Sequence, residues 1–272
     1  MNFKQKLENI VKKNNSLLCV GLDPESSKFS SHFLKQKNPI FEFNKSIINA
    51  TSDLVCVYKP NIAFYEAYGI DGLKQLKQTF EYLQSNYPEI PIVLDAKRAD
   101  IGNTAKMYAK SIFEYWGADA TTVYPHLGKD TIFPFLKYKN KLTILLFKTS
   151  NPDSGMFQNT ITNGKPYYLY VAETIKKWNY DNIGIFVGAT YPKEMQNIRK
   201  VFPDKIFLSA GLGAQSAEIG KAVKAGINKE KSGIMFNASR SILYADTGKD
   251  FAKKAREEAK KTRDLINKYR YE

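Results

Sequence analysis

The sequence predicts a single (β/α)₈ TIM barrel spanning residues 1–272, with an N-terminal capping helix. Three observations carry this. The length of 272 residues fits the roughly 250 that such a barrel needs, without spare segments. Short apolar, β-branched runs alternate with amphipathic segments along the whole chain. Polar and charged residues gather where the apolar runs end, which is where barrel enzymes carry their chemistry.

The predicted strands are Leu17–Leu22, Leu54–Tyr58, Ile90–Leu94 and Ala120–Tyr124, then Leu142–Phe147, Ile183–Val187, Lys205–Leu208 and Gly233–Phe236. Near-continuous hydrophobic runs of this kind suit strands covered on both faces, as in a parallel sheet. Helical patterns lie between them: Ile40–Ser52, Gly72–Gln84, Thr104–Trp116, Lys129–Lys137, Pro166–Trp178, Pro192–Val201, Ser216–Lys224 and Phe251–Tyr269. Leu76, Phe80 and Leu83 fall at helical spacing and read as core. An opening helix, Phe3–Lys13, is placed across the bottom of the barrel. Right-handed crossovers close such an alternation economically; an open, doubly wound sheet is the structural alternative. The polar stretch Thr149–Lys165 is long for a compact domain, and reads equally as a lid over the barrel top or as an inert insertion.

Composition bounds the function. Met1–Asn15 lacks the continuous apolar stretch of a secretory signal. No window approaches the roughly 18 apolar residues of a membrane span. Cys19 and Cys56 each sit in an apolar run, without CxxC spacing; this favours a reducing compartment, hence a cytoplasmic location. The net charge of +14 invites a nucleic-acid reading. However, the densest basic patch, Lys249–Arg263, mixes signs at helical spacing like a solvated face. No nucleic-acid or membrane partner is expected. His32 and His126 stand alone, so no metal site is expected either.

The sharpest signal is LDAKRADIGNT, Leu94–Thr104. Asp95 and Lys97 are two apart and project to one side of a strand; Asp100 places a second carboxylate near the same lysine. Spacing alone leaves a structural ion pair and a catalytic cluster equally open. Asp23, Lys59 and Lys148–Asn151 end other strands. The glycine-rich turn Ala210–Gln215 precedes a helix, and Arg240 follows the eighth strand. Backbone N–H groups at a helix start and a bidentate arginine suit a phosphate; tight-turn glycines with a surface arginine are the bland reading.

Taken together, the blocks CVGLDP, YKPNIAFYEAYG, LDAKRADIGNT, KTSNP, VGATYP, AGLGAQ and NASRSILYA resemble orotidine 5'-phosphate decarboxylase of the longer bacterial subgroup, nearly end to end. The resemblance implies cofactor-free decarboxylation of orotidine 5'-monophosphate to UMP. In that likeness Lys97 is the proton donor to C6 and Asp95 the carboxylate beside the departing CO₂. Lys59 links Asp95 to the ribose. Asp100, Ile101 and Thr104 are lent to the neighbouring subunit, which implies a homodimer with shared sites. Asp23 is a ribose-hydroxyl acceptor, Ser150 a pyrimidine contact, and Gln215 with Arg240 the phosphate grip. Two positions depart from relatives: Ala99 and Ser239 stand where glycine is common. A magnesium-dependent sugar-phosphate enzyme of the same superfamily is the nearest rival; it would carry an acidic ligand where this chain has Lys59.

Overall fold

The structure, a computed structural model, describes residues 1–212 and 216–272. Eight parallel strands form its centre: β1 (Leu18–Leu22), β2 (Val57–Pro60), β3 (Val93–Arg98), β4 (Ala120–Val123), β5 (Leu142–Lys148), β6 (Ile183–Val187), β7 (Phe207–Ala210) and β8 (Ile234–Ala238). Their order is β2-β1-β8-β7-β6-β5-β4-β3. Parallel bridges Tyr58↔Ile92 and Asn61↔Asp95 join the two ends, so the sheet closes into a cylinder. This is the predicted barrel rather than the open sheet. All residues of β1, β5, β6 and β8 are buried, as strands covered by helices outside and packed side chains inside must be.

Most predicted elements stand within a few residues. Strands β2 and β3 are the exceptions. Their pairing starts three residues later than the apolar runs suggest, at Val57 and Val93. It then continues through Lys59 and Asp95. Leu54, Val55 and Cys56 are buried all the same, so hydrophobicity does not mark where the ladder begins. Charged side chains at the barrel mouth still offer ordinary backbone groups to it. The segment predicted as the helix Thr104–Trp116 is an α-helix, Gly102–Lys110, followed by a π-turn, Ser111–Tyr115.

The opening helix Phe3–Asn14 starts with a capping box, Asn2 with Gln5. It buries Phe3, Leu7, Ile10 and Val11 against the N-terminal ends of the strands. Lys6 Nζ reaches Asp119 Oδ2 at 2.8 Å, and the same oxygen accepts from Ile92 N at 2.9 Å. The bottom of the cylinder is thereby covered, and the mouth is left to the loops.

Residues 149–165 are neither featureless nor open. A 3₁₀ turn (Pro152–Ser154), a helical turn (Gly155–Gln158) and a two-residue hairpin arm on each side of Asn163–Gly164 fold the segment onto itself. The last helix, Phe251–Tyr271, packs Phe251, Ala255, Ala259 and Ile266 inward. Its outer charges pair with one another, as in Lys254–Glu257 at 2.8 Å and Lys260–Asp264 at 2.7 Å. The basic patch is a solvated face, paired in part within the helix and, through Arg256, with Asp53. Among the described residues, no helix is long and apolar enough to cross a membrane.

Candidate active site

Three neighbouring strands place four polar side chains at one point of the mouth. β2 contributes Lys59, β3 contributes Asp95 and Lys97, and β4 contributes Thr122. The Asp95 carboxylate is the hub. Lys59 Nζ donates to its Oδ2 at 3.1 Å, and Lys97 Nζ lies 2.8 and 2.9 Å from Oδ1 and Oδ2. Thr122 Oγ1 donates to Oδ1 at 2.7 Å. Asp95 and Lys59 are 7% and 3% exposed, whereas the Lys97 side chain keeps 38% of its surface open. The charge that faces the mouth is therefore an ammonium held by a buried carboxylate.

Alternation along an ideal strand is not what brings Lys97 to Asp95. Lys97 has a left-handed backbone, φ 43°, and the register with β4 shifts between Leu94 and Arg98. For a non-glycine residue that conformation costs about 1–2 kcal/mol. Thr122 offsets it, because its Oγ1 also accepts from the Lys97 backbone N at 3.0 Å. One hydroxyl thus fixes the bulge and the carboxylate together. Sequence reasoning missed Thr122; the available signal was a polar, β-branched residue near the end of a buried strand, next to the one bearing Asp95.

Burial opposes ionisation of Asp95. The Lys59 and Lys97 ammoniums, with hydrogen bonds from Lys97 and Thr122, more than offset this and hold the carboxyl well below the usual carboxylate range. Burial likewise works against the Lys59 charge, but Asp95 and then Asp23 raise its pKa above that of an ordinary lysine. Burial pushes the nearby Cys19 thiol up to about 12, so it stays neutral. Cys19 and Cys56 are both free.

Asp23 follows β1, and its Oδ1 is buried without a hydrogen-bond partner among the described residues. Tyr244 fixes its loop: the phenol donates to Asp23 O at 3.1 Å and accepts from Glu25 N at 2.6 Å. Asp23, Ser150, Asn237 and Arg240 line one cavity of about 750 Å³ at the mouth. Arg240 is exposed at the start of the turn Arg240–Leu243. Its guanidinium has no hydrogen bond or ion pair among the described residues. The Ser239 hydroxyl turns inward, accepting from Asn237 Nδ2 at 3.2 Å; a Cβ on Gly21 would lie 1.9 Å from it. Ser239 therefore occupies space that Gly21 leaves.

Asp100, Ile101 and Thr104 are not drawn into this cluster. Asp100 Oδ1 accepts from Ile101 N at 2.8 Å, and no ion pair joins it to Lys97 within the chain. This corrects the expectation, from spacing, of a second carboxylate beside that lysine. The chain leaves β3 at Arg98, and the side chain turns back to the start of the next helix. Ile101 is 62% exposed and Thr104 is exposed. Gln215 lies outside the described residues.

A model of the "Orotidine 5'-phosphate decarboxylase / HUMPS family" matches residues 16–255. The chain belongs to this family. It is 50% identical over 262 residues to the orotidine 5'-phosphate decarboxylase of Flavobacterium johnsoniae, covering 96% of this chain and 95% of that protein. It is 46% identical to the enzyme of the same name from Cellvibrio japonicus, over 98% of both chains. The structure of Leishmania donovani OMP decarboxylase superposes with a TM-score of 0.85 at 34% identity, over the whole of both chains. Leishmania donovani UMP synthase gives 0.87 at 35% identity, with 57% of that longer chain covered.

For this member of the orotidine 5'-phosphate decarboxylase family, the shifted groups fix a pH window. A carboxyl depressed in the folded state adds stability that is full above its unfolded value, near 4, and fades as pH falls below it. A lysine raised in the folded state adds stability that is full below about 10.4 and fades as pH rises through its folded value. The pair is thus constant across neutrality. Asp95→Asn leaves Lys59 buried without its partner, which costs about 3–5 kcal/mol. Urea unfolding should give a difference from wild type that shrinks below about pH 4, where Asp95 takes up a proton, and shrinks again toward alkaline pH, where burial without its partner makes Lys59 give up its proton more readily. A difference that stays the same from acid to alkaline pH would contradict the assignment of the charges.

Proposed function

We propose that this chain decarboxylates orotidine 5'-monophosphate to UMP, the closing step of de novo pyrimidine nucleotide synthesis, with Lys97 as the proton donor. Family membership and near-full-length relatives of that name support the reaction. The single observation that carries the residue assignment is an ammonium pinned by a buried carboxylate in the mouth of a barrel. Breaking the C6–carboxylate bond releases CO₂ and leaves the electron pair on C6 of the pyrimidine. Lys97 stabilises that charge before it forms and quenches it by transferring a proton from Nζ; solvent then reprotonates the amine. Charge fixed in place beforehand needs no reorganisation during the step, which is the main source of catalysis of this kind.

The remaining roles follow the family resemblance; of the residues concerned, Asp23, Ser150 and Arg240 line the cavity. Asp95 stands beside the departing carboxylate and orients Lys97, and Lys59 ties Asp95 to the ribose. Asp23 supplies its unpartnered oxygen to a ribose hydroxyl, and Ser150 meets the pyrimidine. Arg240, with Gln215, grips the phosphate; binding energy realised there is available to hold the site closed around C6. Lys59 stands where the magnesium-dependent rival would carry an acidic ligand, and this favours the cofactor-free reaction.

We further infer a cytoplasmic homodimer with shared sites. Asp100 is unpaired with its own Lys97, and the adjacent Ile101 and Met107 are each 62% exposed. A second copy seated there would bury both and bring Asp100, Ile101 and Thr104 to the partner's cavity. Buried free thiols are in keeping with a reducing compartment.

Ultraviolet loss of orotidine 5'-monophosphate in the presence of EDTA tests the reaction directly. Undiminished turnover is expected, and turnover that EDTA abolishes would refute the cofactor-free reading. Lys97→Ala should lower kcat by at least about 10³-fold, with binding of ribose 5-phosphate retained; near-normal activity in folded protein excludes the proton-donor role. Inactive Lys97→Ala chains mixed with inactive Asp100→Ala chains should regain activity, since each heterodimer rebuilds one complete site. No recovery after verified subunit exchange excludes the lent aspartate.

A further inference from the structure

Lys148, the last residue of β5, is fully buried, with 0% of its surface exposed. No carboxylate pairs with it among the described residues. Its Nζ donates to Ser154 Oγ at 2.9 Å and sits 4.3 Å from the centre of the Tyr191 ring. A desolvated ammonium with one hydroxyl and one aromatic face is costly to hold. Such a cost persists where the charge organises something else.

What it organises is the start of the segment after β5. Ser154 Oγ donates to Tyr191 OH at 3.2 Å, and that phenol donates to Asn151 O at 3.2 Å. Lys148 O accepts from Gly188 N at 2.8 Å, and Gly188 O accepts from Tyr191 N at 3.1 Å. Gln158 closes the segment from the other side, its Oε1 accepting from Thr149 N at 2.9 Å. Ser150 stands inside this ring of contacts. A Cβ on Gly188 would lie 2.8 Å from Ser150 Cα, and one on Gly211 would lie 3.1 Å from Ser150 Cβ. Two glycines, from the ends of β6 and β7, leave the gap that the serine fills. Ser150 Oγ has no hydrogen-bond partner among the described residues, and it lines the mouth cavity.

We propose that Lys148 is a positioning residue for substrate recognition, its buried charge locking Ser154 and Tyr191 so that the Ser150 hydroxyl is held against the pyrimidine. The assignment rests on the decarboxylase reading, and in particular on Ser150 meeting the base. Lys148 touches no substrate. It acts through a two-glycine slot and one phenol, and its influence is confined to the base end of the ligand. The phosphate end, at Arg240, lies on a different loop.

The test uses the full chain with Lys148→Met, Lys148→Arg, Ser150→Ala and the Lys148→Met/Ser150→Ala double variant. Turnover is read as kcat/KM, and calorimetry gives affinities for UMP and for ribose 5-phosphate, which lacks the base. Lys148→Met is expected to lower kcat/KM and UMP affinity by about 10-fold or more, with ribose 5-phosphate affinity unchanged. Lys148→Arg should restore most of the loss, because a cation and a donor return to Tyr191 and Ser154. In the Ser150→Ala background, Lys148→Met should cost less than about 2-fold further, as expected of residues acting as one unit.

Should Lys148→Met fail to fold, Tyr191→Phe removes only the hydroxyl of the relay; it should show a smaller loss with the same dependence on Ser150. Additive losses, equal weakening of ribose 5-phosphate, or wild-type kinetics in the folded variants would overturn the proposal. Wild-type turnover separates the two levels. Its absence removes the decarboxylase reading, whereas wild-type turnover with additive variants removes only the role of Lys148.

Discussion

The sharing of one buried carboxylate between two ammoniums and a hydroxyl is the constraint on which the site depends. Asp95 is taken out of water, and its charge survives only because Lys59, Lys97 and Thr122 converge on it. Any two of these groups without the third leave either a buried charge undercompensated or the bulge at Lys97 unsupported. The geometry of β3 is subordinate to this need. An unbroken strand would carry the ladder through Lys97, whereas here the backbone N–H of that residue is given to a side chain of β4. Local strain is stored at the point where the proposed chemistry requires an exposed ammonium.

Barrel closure supplies the remaining geometry. β2 and β3 touch through only two bridges, one of them at Asn61 and Asp95, so the seam of the cylinder lies where the charged pair forms. Lys59 crosses that seam to reach Asp95. The ion pair therefore joins the two strands that backbone pairing joins least, and the proposed catalytic role falls on a contact that also has a structural one. At the bottom the opening helix and Asp119 do the corresponding closure without any demand from the site.

Most of the fold was legible because its period is coarse: apolar runs and amphipathic segments alternate, and helix faces such as Leu76, Phe80 and Leu83 are fully buried. Strand ends at the mouth were not. The hydrophobic signal stops at the first charge, while the ladder continues through Lys59 and Asp95, whose backbone groups are indifferent to what their side chains carry. The Asp95–Lys97 contact was foreseen from an alternation that the chain does not follow there. Spacing also placed Asp100 beside Lys97, where the turn after Arg98 sends it to its own helix start. Thr122 escaped notice because a threonine in a strand is unremarkable in sequence. Lys148 is placed at a strand end by the sequence, but that it is fully buried is legible only in the structure.

The loop between β5 and β6 shows how the same physics serves recognition as well as chemistry. Its long polar composition left a lid and an inert insertion equally open, yet its first residues are pinned by a buried cation and a wedge of two glycines. A segment whose root is fixed this tightly moves, if at all, beyond Ser154, where Met156, Phe157 and Ile161 stay exposed. Ser150 then belongs to the fixed part of the mouth, while Arg240 stands exposed on the loop after β8, its guanidinium without a partner among the described residues. Under the proposed mechanism this division is functional. The base end meets groups already in place, which the developing charge at C6 requires, and adjustment is left to the phosphate end, where binding energy is gathered rather than bonds broken.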